Sequence, residues 1–517
     1  MLKIFYNGNI LLTDTGTQAQ SVLIKDGKTF QTGIFDALKA KYPQAEKIDL
    51  QGHTLMPAFF DSHSHFMAFA ISLIQPSLKD CQNVEEIKEK IVSYLKEHNS
   101  GNNSWIAFRD YPYLSENNGI SKTDLDSITP NTPVVLQHQS GHGGMFNSKA
   151  LEVIKQNLSG FADEIQEAEK TGYLNENTYI SALKLIPSPD EKEVFGAIKK
   201  AQDIYFSYGI TTFQEGFLTR QMLPLYKSAL KADIIKGDII AFTPPEDYAS
   251  AQEYFKDINS PNFKLGGIKI FIDGSPQLKT ALMYRHYIGQ SGNLGTCSIT
   301  EEGIKNALNT AYENKCQILC HANGDKACDM FINAVNTYAL EKPDISNCSP
   351  VIIHGQFINP FHLLGIKSLN ISASFFVSHI LHYGDMHVKN LGYNTASQMS
   401  PLNSALHSIN FTLHQDTPVM LPDMFESVYC AAARKSQSGR VLGENQKISV
   451  LEALKAVTIN AAKQYGYESL KGSIMPGKAA DFIILDKNPL SAGIEEIRNI
   501  KVLQTIKNGD TVWKLNN

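Results

Sequence analysis

Eight short apolar runs, separated by stretches with helical spacing, constrain the fold of this chain more than any other feature. Strands that alternate with helices indicate an α/β protein with a parallel sheet. Eight of them suit a closed (β/α)8 barrel, whose functional side chains lie at the carboxyl ends of the strands. A doubly wound open sheet is the competing architecture, although no glycine-rich phosphate-binding fingerprint follows the first run. The runs are 55–65, 209–214, 239–243, 268–272, 317–321, 351–354, 371–376 and 411–416.

The two ends of the chain predict a second, smaller domain. Short strand-like runs punctuated by Asn-Gly and Asp-Gly turn signals occur in residues 1–56 and again in residues 472–517. Because about 50 residues are few for an independent sheet domain, we expect one small β-sandwich domain built from both ends. The barrel then comprises residues 57–70 and 205–471. The remaining residues, 71–204, are predicted to form an inserted α/β region over the barrel mouth.

Composition narrows the class of protein. A net charge of −5 over 517 residues, with 43% hydrophobic and 19% charged residues, indicates neither a nucleic-acid nor a membrane partner. We find no signal-peptide pattern at the start and no apolar window of about 18 residues that could span a bilayer. Seven cysteines without a C-x-x-C pair favour free thiols in a reducing compartment. These features predict a cytoplasmic protein.

The first run carries a pair of histidines, within the sequence M-P-A-F-F-D-S-H-S-H-F. If the strand continues through them, His63 and His65 occupy positions i and i+2 and point to the same side. Neutral imidazole is a common metal ligand, so the pair could supply half of a metal site. An isolated H-x-H is more often two surface or core histidines than a metal site. The interpretation therefore depends on the other runs.

The fourth run places a lysine among isoleucines. Lys269 alternates with Ile268, Ile270 and Ile272, so it should point into the barrel if the isoleucines face the helices. A buried lysine is costly unless its pKa falls or its charge is met. A neutral amine could take up carbon dioxide and become a carbamate whose two oxygens bridge two cations. Alternatively, Lys269 extends to solvent or pairs with Asp273.

Three later runs end in residues that could complete a site. His321 and His354 each follow an apolar run, and each alone could be a satisfied core histidine, but together they occupy matching strand ends. In the eighth run Asp416 could bind a cation through one oxygen and accept a proton through the other. The alternative for Asp416 is a helix cap or a turn residue.

With these residues in place, the chain resembles the amidohydrolase superfamily of metal-dependent hydrolases over nearly its whole length. The supporting motifs are P-A-F-F-D-S-H-S-H, I-K-I-F-I-D-G-S, H-Q-D-T-P-V and the late G-S-I-M-P-G-K-A-A-D-F-I-I-L-D. The inserted G-H-G-G-M-F-N-S-K-A-L resembles the branch that includes N-substituted formamide deformylase. His414 and Gln415 depart from the small residues that the family often has beside the aspartate.

The resemblance implies a distorted TIM-type barrel that holds one or two divalent metal ions, most often zinc. The ligand set that it implies is His63, His65, Lys269, His321, His354 and Asp416, with Lys269 carboxylated on its amine. It also implies hydrolysis of a non-peptide carbon–nitrogen bond in a small amide, of the formamide, N-acyl amine or cyclic amide type, by metal-activated water. Asp416 would carry the proton from that water to the leaving nitrogen.

Other interpretations remain open at this point. A catalytically silent scaffold or regulatory protein could keep the same fold, and the same metal centre could hydrolyse an ester or phosphoester. In the inserted region, His142 and Asn147 are candidate substrate contacts, although a glycine-rich turn would explain the same residues. We expect a small-molecule amide as the partner, and the sequence leaves a homo-oligomer open.

Overall fold

The chain divides into two compact units in a computed structural model. One unit comprises Met1–Met67 and Ala201–Asn517, and the other comprises Ala68–Lys200. The domain bounds predicted from the sequence stay a prediction. Within the described part of the chain, no helix is both long enough and apolar enough to cross a membrane. The structure describes residues 1–97, 105–112, 119–138, 141, 143–187 and 190–516.

The regular elements are numbered here in chain order. The strands are β1 (Leu2–Leu12), β2 (Thr17–Lys25), β3 (Lys28–Gly33), β4 (Glu46–Asp49), β5 (Thr54–Pro57), β6 (Phe59–Phe60), β7 (Ile106–Tyr111), β8 (Val134–His138), β9 (Gly143–Phe146), β10 (Tyr173–Asn175), β11 (Ile210–Glu215), β12 (Asp238–Thr243), β13 (Phe263–Phe271), β14 (Gln317–Ala322), β15 (Val351–His354), β16 (Ser372–Phe375), β17 (Phe411–Leu413), β18 (Phe482–Leu485), β19 (Val502–Lys507) and β20 (Asp510–Lys514).

The helices connect these strands. The α-helices are α1 (Phe35–Lys41), α2 (Phe66–Ser72), α3 (Val84–Glu97), α4 (Lys122–Ile128), α5 (Ser148–Asn157), α6 (Ala162–Thr171), α7 (Glu176–Leu183), α8 (Glu191–Ser207), α9 (Leu223–Lys231), α10 (Tyr248–Phe255), α11 (Glu301–Asn314), α12 (Asp325–Glu341), α13 (Pro360–Ser368), α14 (His379–Leu391), α15 (Tyr393–Ala396), α16 (Leu402–Leu406), α17 (Met424–Ala433), α18 (Val450–Ala456) and α19 (Ile459–Gln464). Short 3₁₀ turns cover Ser159–Phe161, Arg220–Met222, Pro245–Asp247, Pro343–Cys348, Glu444–Gln446 and Ile494–Asn499.

A parallel sheet organises the first unit. Its strands follow one another in chain order, β6, β11, β12, β13, β14, β15, β16 and β17, and each neighbouring pair is parallel. The predicted alternation of strands and helices in an α/β fold is therefore confirmed, and each of the second to eighth runs overlaps one of these strands. Closure of the sheet into a barrel stays a prediction.

The first and last predicted strands are shorter than expected. Within the first run, β5 pairs with β1 and β18 in a different sheet, and only Phe59 and Phe60 of β6 join the parallel sheet. His63 and His65 follow β6 in a loop, so the same-face strand argument for them was wrong. Strand β17 ends at Leu413, and Asp416, three residues later, has a left-handed backbone with a φ of 54°.

Loops after these two strands hydrogen-bond to one another. The Asp416 backbone N–H donates to the His63 carbonyl at 3.2 Å, and the His65 N–H donates to the Thr417 carbonyl at 2.7 Å. These bonds replace the ladder that the prediction had assumed. They connect the loops that follow β6 and β17, which are the two edge strands in the order of the parallel sheet.

Both ends of the chain contribute strands to a second sheet. Its order is β20, β19, β18, β5, β1, β2, β3, with β4 beside β1. The Asp26-Gly27 and Asn508-Gly509 turns have the left-handed angles of tight hairpins. The prediction of a turn at the first Asn-Gly signal, Asn7-Gly8, was wrong. Strand β1 continues through these two residues, with a bulge after Tyr6. The packing of this sheet as a sandwich stays a prediction.

The strand that carries Lys269 contains a bulge that requires glycine. Gly267 has a φ of 157°, and a Cβ atom on it would lie 1.9 Å from the Gln317 carbonyl oxygen of β14. The register between β12 and β13 shifts at this point. A bulge re-aims the residues that follow it, so Gly267 helps to set the direction of Lys269.

The second unit has its own sheet and its own apolar clusters. Strands β7 to β10 form the order β10, β9, β8, β7. Phe108, Val134 and Leu136 belong to one cluster, and Phe146 and Ile154 belong to another. Each cluster joins sheet residues to helix residues, which is how a small α/β unit buries its core.

Candidate metal centre

Two histidines and an aspartate meet at the carboxyl ends of the first and last strands of the parallel sheet. His63 Nε2 lies 3.4 Å from Asp416 Oδ1, and His65 Nε2 lies 3.5 Å from the same oxygen. One ligand atom from each of the three residues falls within a mutual distance of 4.8 Å. Two imidazoles and a carboxylate are a donor set that zinc commonly accepts, so this group could hold a metal ion.

The Asp416 carboxylate supplies the observation that tests the fit. Its Oδ1 atom is buried and accepts no hydrogen bond from the part of the chain that the structure describes. A buried acceptor without a partner is costly unless something else meets it. Two imidazole nitrogens face this oxygen, and a cation between them would satisfy all three groups. The residues therefore fit a divalent transition metal.

The proton on His63 is fixed by a partner from the next strand. Gln214 at the end of β11 donates through Nε2 to the Tyr465 hydroxyl, and its Oε1 contacts His63 Nδ1. An amide oxygen can only accept, so His63 Nδ1 carries the hydrogen. The unprotonated Nε2 of His63 then faces Asp416, which is the orientation that a metal ligand needs.

Lys269 lies beside the histidine pair. Its Nζ atom is 3.3 Å from His63 Nε2, and the residue is only 1% exposed. Burial lowers the pKa of Lys269 to about 7. The alternative of pairing with Asp273 is not seen, because the Asp273 carboxylate accepts backbone N–H groups of Leu282, Asn323 and Gly324.

Two further histidines continue the cluster. His354 Nε2 lies 3.1 Å from His321 Nδ1 and 3.9 Å from Asp416 Oδ2. His321 also lies 3.7 Å from the Asp273 carboxylate through Nε2. Strands β14 and β15 are adjacent and parallel, which is why these two rings meet.

Burial keeps the central histidines neutral. It lowers the pKa of His63 and of His354 well below the ordinary value, and that of His321 to about 4. Burial alone would raise the pKa of the Asp416 carboxyl, but the neighbouring imidazoles, His65 first, hold it well below its usual range. Neutral imidazoles beside an ionised carboxylate are the protonation states in which these groups bind metal.

Two residues of the cluster have left-handed backbones. The φ angle is 74° at His354 and 54° at Asp416. Residues other than glycine adopt this region at a cost of about 1–2 kcal/mol each. Such angles at two candidate ligands are consistent with a functional site.

The structure brings all six predicted ligand residues into one cluster, while their role as metal ligands stays a prediction. His142 lies outside the described residues. Asn147 is buried and caps helix α5, because its Oδ1 accepts the Ala150 N–H and its Nδ2 donates to Thr129 and to the Thr132 carbonyl. These contacts engage its polar atoms within its own unit. They give no support to a substrate contact, which for Asn147 remains untested.

Sequence reasoning missed the residues that orient the ligands. Gln214 stood at the end of the second predicted run, and a polar side chain at that position is a signal that could have been used. Tyr465 and Ser374 gave no comparable signal, because their partners Gln214 and His414 are distant in the chain. Tyr465 lies 251 residues from Gln214.

Comparisons with known proteins agree with this geometry. The family model described as "Amidohydrolase family" matches residues 46–513. Protein LONG AFTER FAR-RED 3 from Arabidopsis thaliana is 26% identical over 98% of this chain and 91% of its own length. N-substituted formamide deformylase from Arthrobacter pascens is 24% identical, covering 97% of this chain and 96% of its own.

A solved structure shares the fold. An uncharacterized metal-dependent hydrolase from Pyrococcus furiosus superposes with a TM-score of 0.79 at 23% identity, covering 95% of this chain and 100% of that one. At this identity the likeness concerns the fold alone.

Proposed function

This chain belongs to the amidohydrolase family, and on that premise we propose that it is a metal-dependent hydrolase of a non-peptide carbon–nitrogen bond in a small amide. The substrate class is a formamide, an N-acyl amine or a cyclic amide. The formamide deformylase relative supports this class by its name. The proposed enzyme class is a hydrolase of carbon–nitrogen bonds other than peptide bonds.

One observation carries the proposal. The Asp416 Oδ1 atom is buried without a hydrogen bond among the described residues, between the Nε2 atoms of His63 and His65. Such an arrangement brings a carboxylate oxygen and two ring nitrogens to one point. A divalent cation matches them better than a proton would, because a proton can satisfy only one pair.

The proposed chemistry divides between the ion and the protein. A bound divalent ion lowers the pKa of water and polarises a carbonyl group. Asp416 accepts the proton of the attacking water and delivers it to the leaving nitrogen as the amide carbon–nitrogen bond breaks. Gln214 holds His63 in the tautomer that turns Nε2 to the site. The neutral rings of His321 and His354 bind the ion or orient the substrate carbonyl.

We propose one or two ions, with zinc as the metal, and a carboxylated Lys269. A neutral Lys269 amine would form a nitrogen–carbon bond with carbon dioxide and lose one proton, which leaves a carbamate. Burial of Lys269 and its position beside His63 Nε2 support this modification. The carbamate would give a second ion an oxygen ligand.

We further propose that the parallel sheet closes as a distorted (β/α)8 TIM-type barrel. The hydrogen bonds between the loops after β6 and β17 support closure. The same proposal has the terminal sheet as a β-sandwich and the second unit as an inserted α/β region. A cytoplasmic location is consistent with seven unpaired cysteines. The proposed partner is a small amide, without nucleic acid or membrane, and a homo-oligomer is compatible with it.

Metal binding and turnover test the proposal together. Zinc- and manganese-loaded protein should hydrolyse members of a panel of formamides, N-acyl amines and cyclic amides, and esters and phosphoesters in the same panel test the other chemistries. His63→Ala should lose metal, whereas His407→Ala, a change at an exposed histidine, should retain it. Less than one equivalent of metal in the purified protein, and equal binding by His63→Ala, would contradict the proposal.

A non-catalytic scaffold or regulatory role is the second candidate. One relative of nearly the full length, protein LONG AFTER FAR-RED 3, has a name that states no reaction. In such a role, the present chain would bind metal but would not catalyse hydrolysis. A full panel without turnover by metal-loaded protein favours this role, whereas turnover that Asp416→Asn abolishes excludes it.

A further inference from the structure

A chain of hydrogen bonds runs from the candidate ligands into the interior of the first unit. It consists of His321 Nδ1 to His354 Nε2 at 3.1 Å, His354 Nδ1 to His414 Nε2 at 3.2 Å, His414 Nδ1 to Ser374 Oγ at 2.8 Å, Ser374 Oγ to Ser62 Oγ at 3.0 Å, and Ser62 Oγ to the Leu413 carbonyl at 3.1 Å. We refer to Ser62, Ser374 and His414 as the relay.

The relay is inaccessible to solvent. Ser62, Ser374 and His414 are each 0% exposed. The two ring nitrogens of His414 face His354 Nδ1 and Ser374 Oγ. A neutral imidazole has one N–H donor and one acceptor nitrogen, and a hydroxyl has one hydrogen to donate. Every donor in the relay must therefore face an acceptor in the next residue.

Two arrangements of hydrogens are compatible with the contacts between the rings. In the first, the Ser374 hydroxyl donates to His414 Nδ1, His414 Nε2–H donates to His354 Nδ1, and His354 Nε2–H donates to His321. The Ser62 hydroxyl can then donate either to Ser374 or to the Leu413 carbonyl, so one of these two contacts lacks a hydrogen. In the second, His354 Nδ1–H donates to His414 Nε2, His414 Nδ1–H donates to Ser374, Ser374 donates to Ser62, and Ser62 donates to the Leu413 carbonyl, so every contact has one hydrogen.

His321, at the other end of this series of hydrogen bonds, has a partner in both arrangements. His321 Nε2 lies 3.2 Å from the Gly274 carbonyl, which accepts an N–H, and 3.1 Å from Asn323 Nδ2, which donates one. Either tautomer of His321 therefore has a partner. Each ring and hydroxyl keeps one hydrogen in both arrangements, so the net charge of the chain is the same.

Only the second arrangement leaves an electron pair on His354 Nε2, the atom 3.9 Å from Asp416 Oδ2. We propose that a divalent transition-metal ion selects this arrangement, and that His414 and Ser374 are positioning residues that hold His354 as the Nδ1–H tautomer. In this arrangement Ser374 Oγ accepts the Nδ1–H of His414. The unprotonated His414 Nε2 then accepts the Nδ1–H of His354. The inference rests on the proposed metal centre.

Nitrogen-15 spectroscopy of the full chain reads the tautomer directly. Protein with ¹⁵N-labelled histidine rings is titrated with zinc chloride, and the His414 signals are identified by their loss in His414→Gln. We expect His414 in the zinc-loaded protein to be protonated at Nδ1 and unprotonated at Nε2. A zinc-loaded protein with His414 protonated at Nε2 would overturn the proposal.

Zinc affinity measured by competition with a chelator tests the same relay by mutation. Ser374→Ala should weaken zinc binding by about 10-fold or more, in the range found for residues that orient metal ligands. Ser374→Thr keeps the hydroxyl and should restore most of the affinity. Ser427→Ala is the matched control, because Ser427 is equally buried and its hydroxyl has no partner in the described part of the chain.

The outcomes separate this inference from the proposed function. Zinc binding by the natural chain, with equal affinity in Ser374→Ala, overturns the relay and leaves the metal centre intact. No zinc binding by the natural chain overturns both. Should Ser374→Ala fail to fold, Ser62→Ala removes the next hydroxyl and should still lower zinc affinity, and an unchanged affinity there overturns the relay.

Discussion

Replacing Gln214 by methionine should weaken metal binding through His63, without touching a ligand. The side chain keeps its length, but the acceptor for His63 Nδ1–H and the donor to the Tyr465 hydroxyl disappear. Tyr465 retains its bond to the Ser62 carbonyl, so it stays positioned. The loss therefore falls mainly on His63.

The magnitude follows from the hydrogen that His63 must keep. With a metal on Nε2, the hydrogen stays on Nδ1, and a buried donor without an acceptor costs about 1–3 kcal/mol. Without a metal, the hydrogen can move to Nε2, where Asp416 Oδ1 lies 3.4 Å away. The penalty is thus confined to the metal-bound state. Since about 1.4 kcal/mol is a factor of ten, affinity should fall about 5- to 150-fold.

Isothermal titration with zinc measures this loss, and chemical denaturation of the metal-free protein checks that its stability changes little. Gln214→Glu is the matched variant, because a carboxylate can still accept the Nδ1 hydrogen, and it should bind zinc better than Gln214→Met. Zinc affinity in Gln214→Met equal to that of the natural chain would refute the argument that the amide fixes the His63 tautomer.

Three further results are expected. Asp416→Asn should retain most of the metal but lose several orders of magnitude in kcat, because an amide cannot carry the proton; unchanged turnover would remove Asp416 from the mechanism. Lys471→Met leaves the buried Asp481 carboxylate without its lysine partner, while Asp238 keeps Lys507, and it should lower the free energy of unfolding by about 3–5 kcal/mol, whereas Lys447→Met, at an exposed pair, should cost about 1 kcal/mol or less. Burial lowers the pKa of His387 to about 3, so the unfolded chain binds one more proton below about pH 6.5; stability should fall as pH drops from there toward 3, and His387→Gln should flatten that dependence in denaturation curves.

Local sequence patterns were enough to predict most strands of the parallel sheet. The apolar run 351–354, for example, coincides with strand β15. A strand that is buried on both faces consists of consecutive apolar residues, so it can be recognised in the sequence. The first run was misjudged, because residues 55–65 read as one strand although they serve two sheets. Which partner a segment pairs with depends on residues hundreds of positions away, such as β18 for β5.

The candidate ligands were predictable, and the residues that orient them were not. His321 and His354 end apolar runs, which is a pattern visible in the sequence. Gln214, His414 and Ser374 gain their roles only through contacts across the sheet, at sequence separations of 40 residues or more. A hydrogen-bond partner carries no local periodicity, so composition and spacing could not reveal it.

The left-handed torsions at His354 and Asp416 have a consequence for the metal-free chain. Glycine relieves that backbone at no steric cost, so His354→Gly should recover about 1 kcal/mol of backbone strain. The same change leaves the buried His321 and His414 rings without the partner that His354 gives them, which costs about 1–3 kcal/mol for each unpaired group. The neighbouring rings therefore keep the strained His354 in place even when no metal is bound.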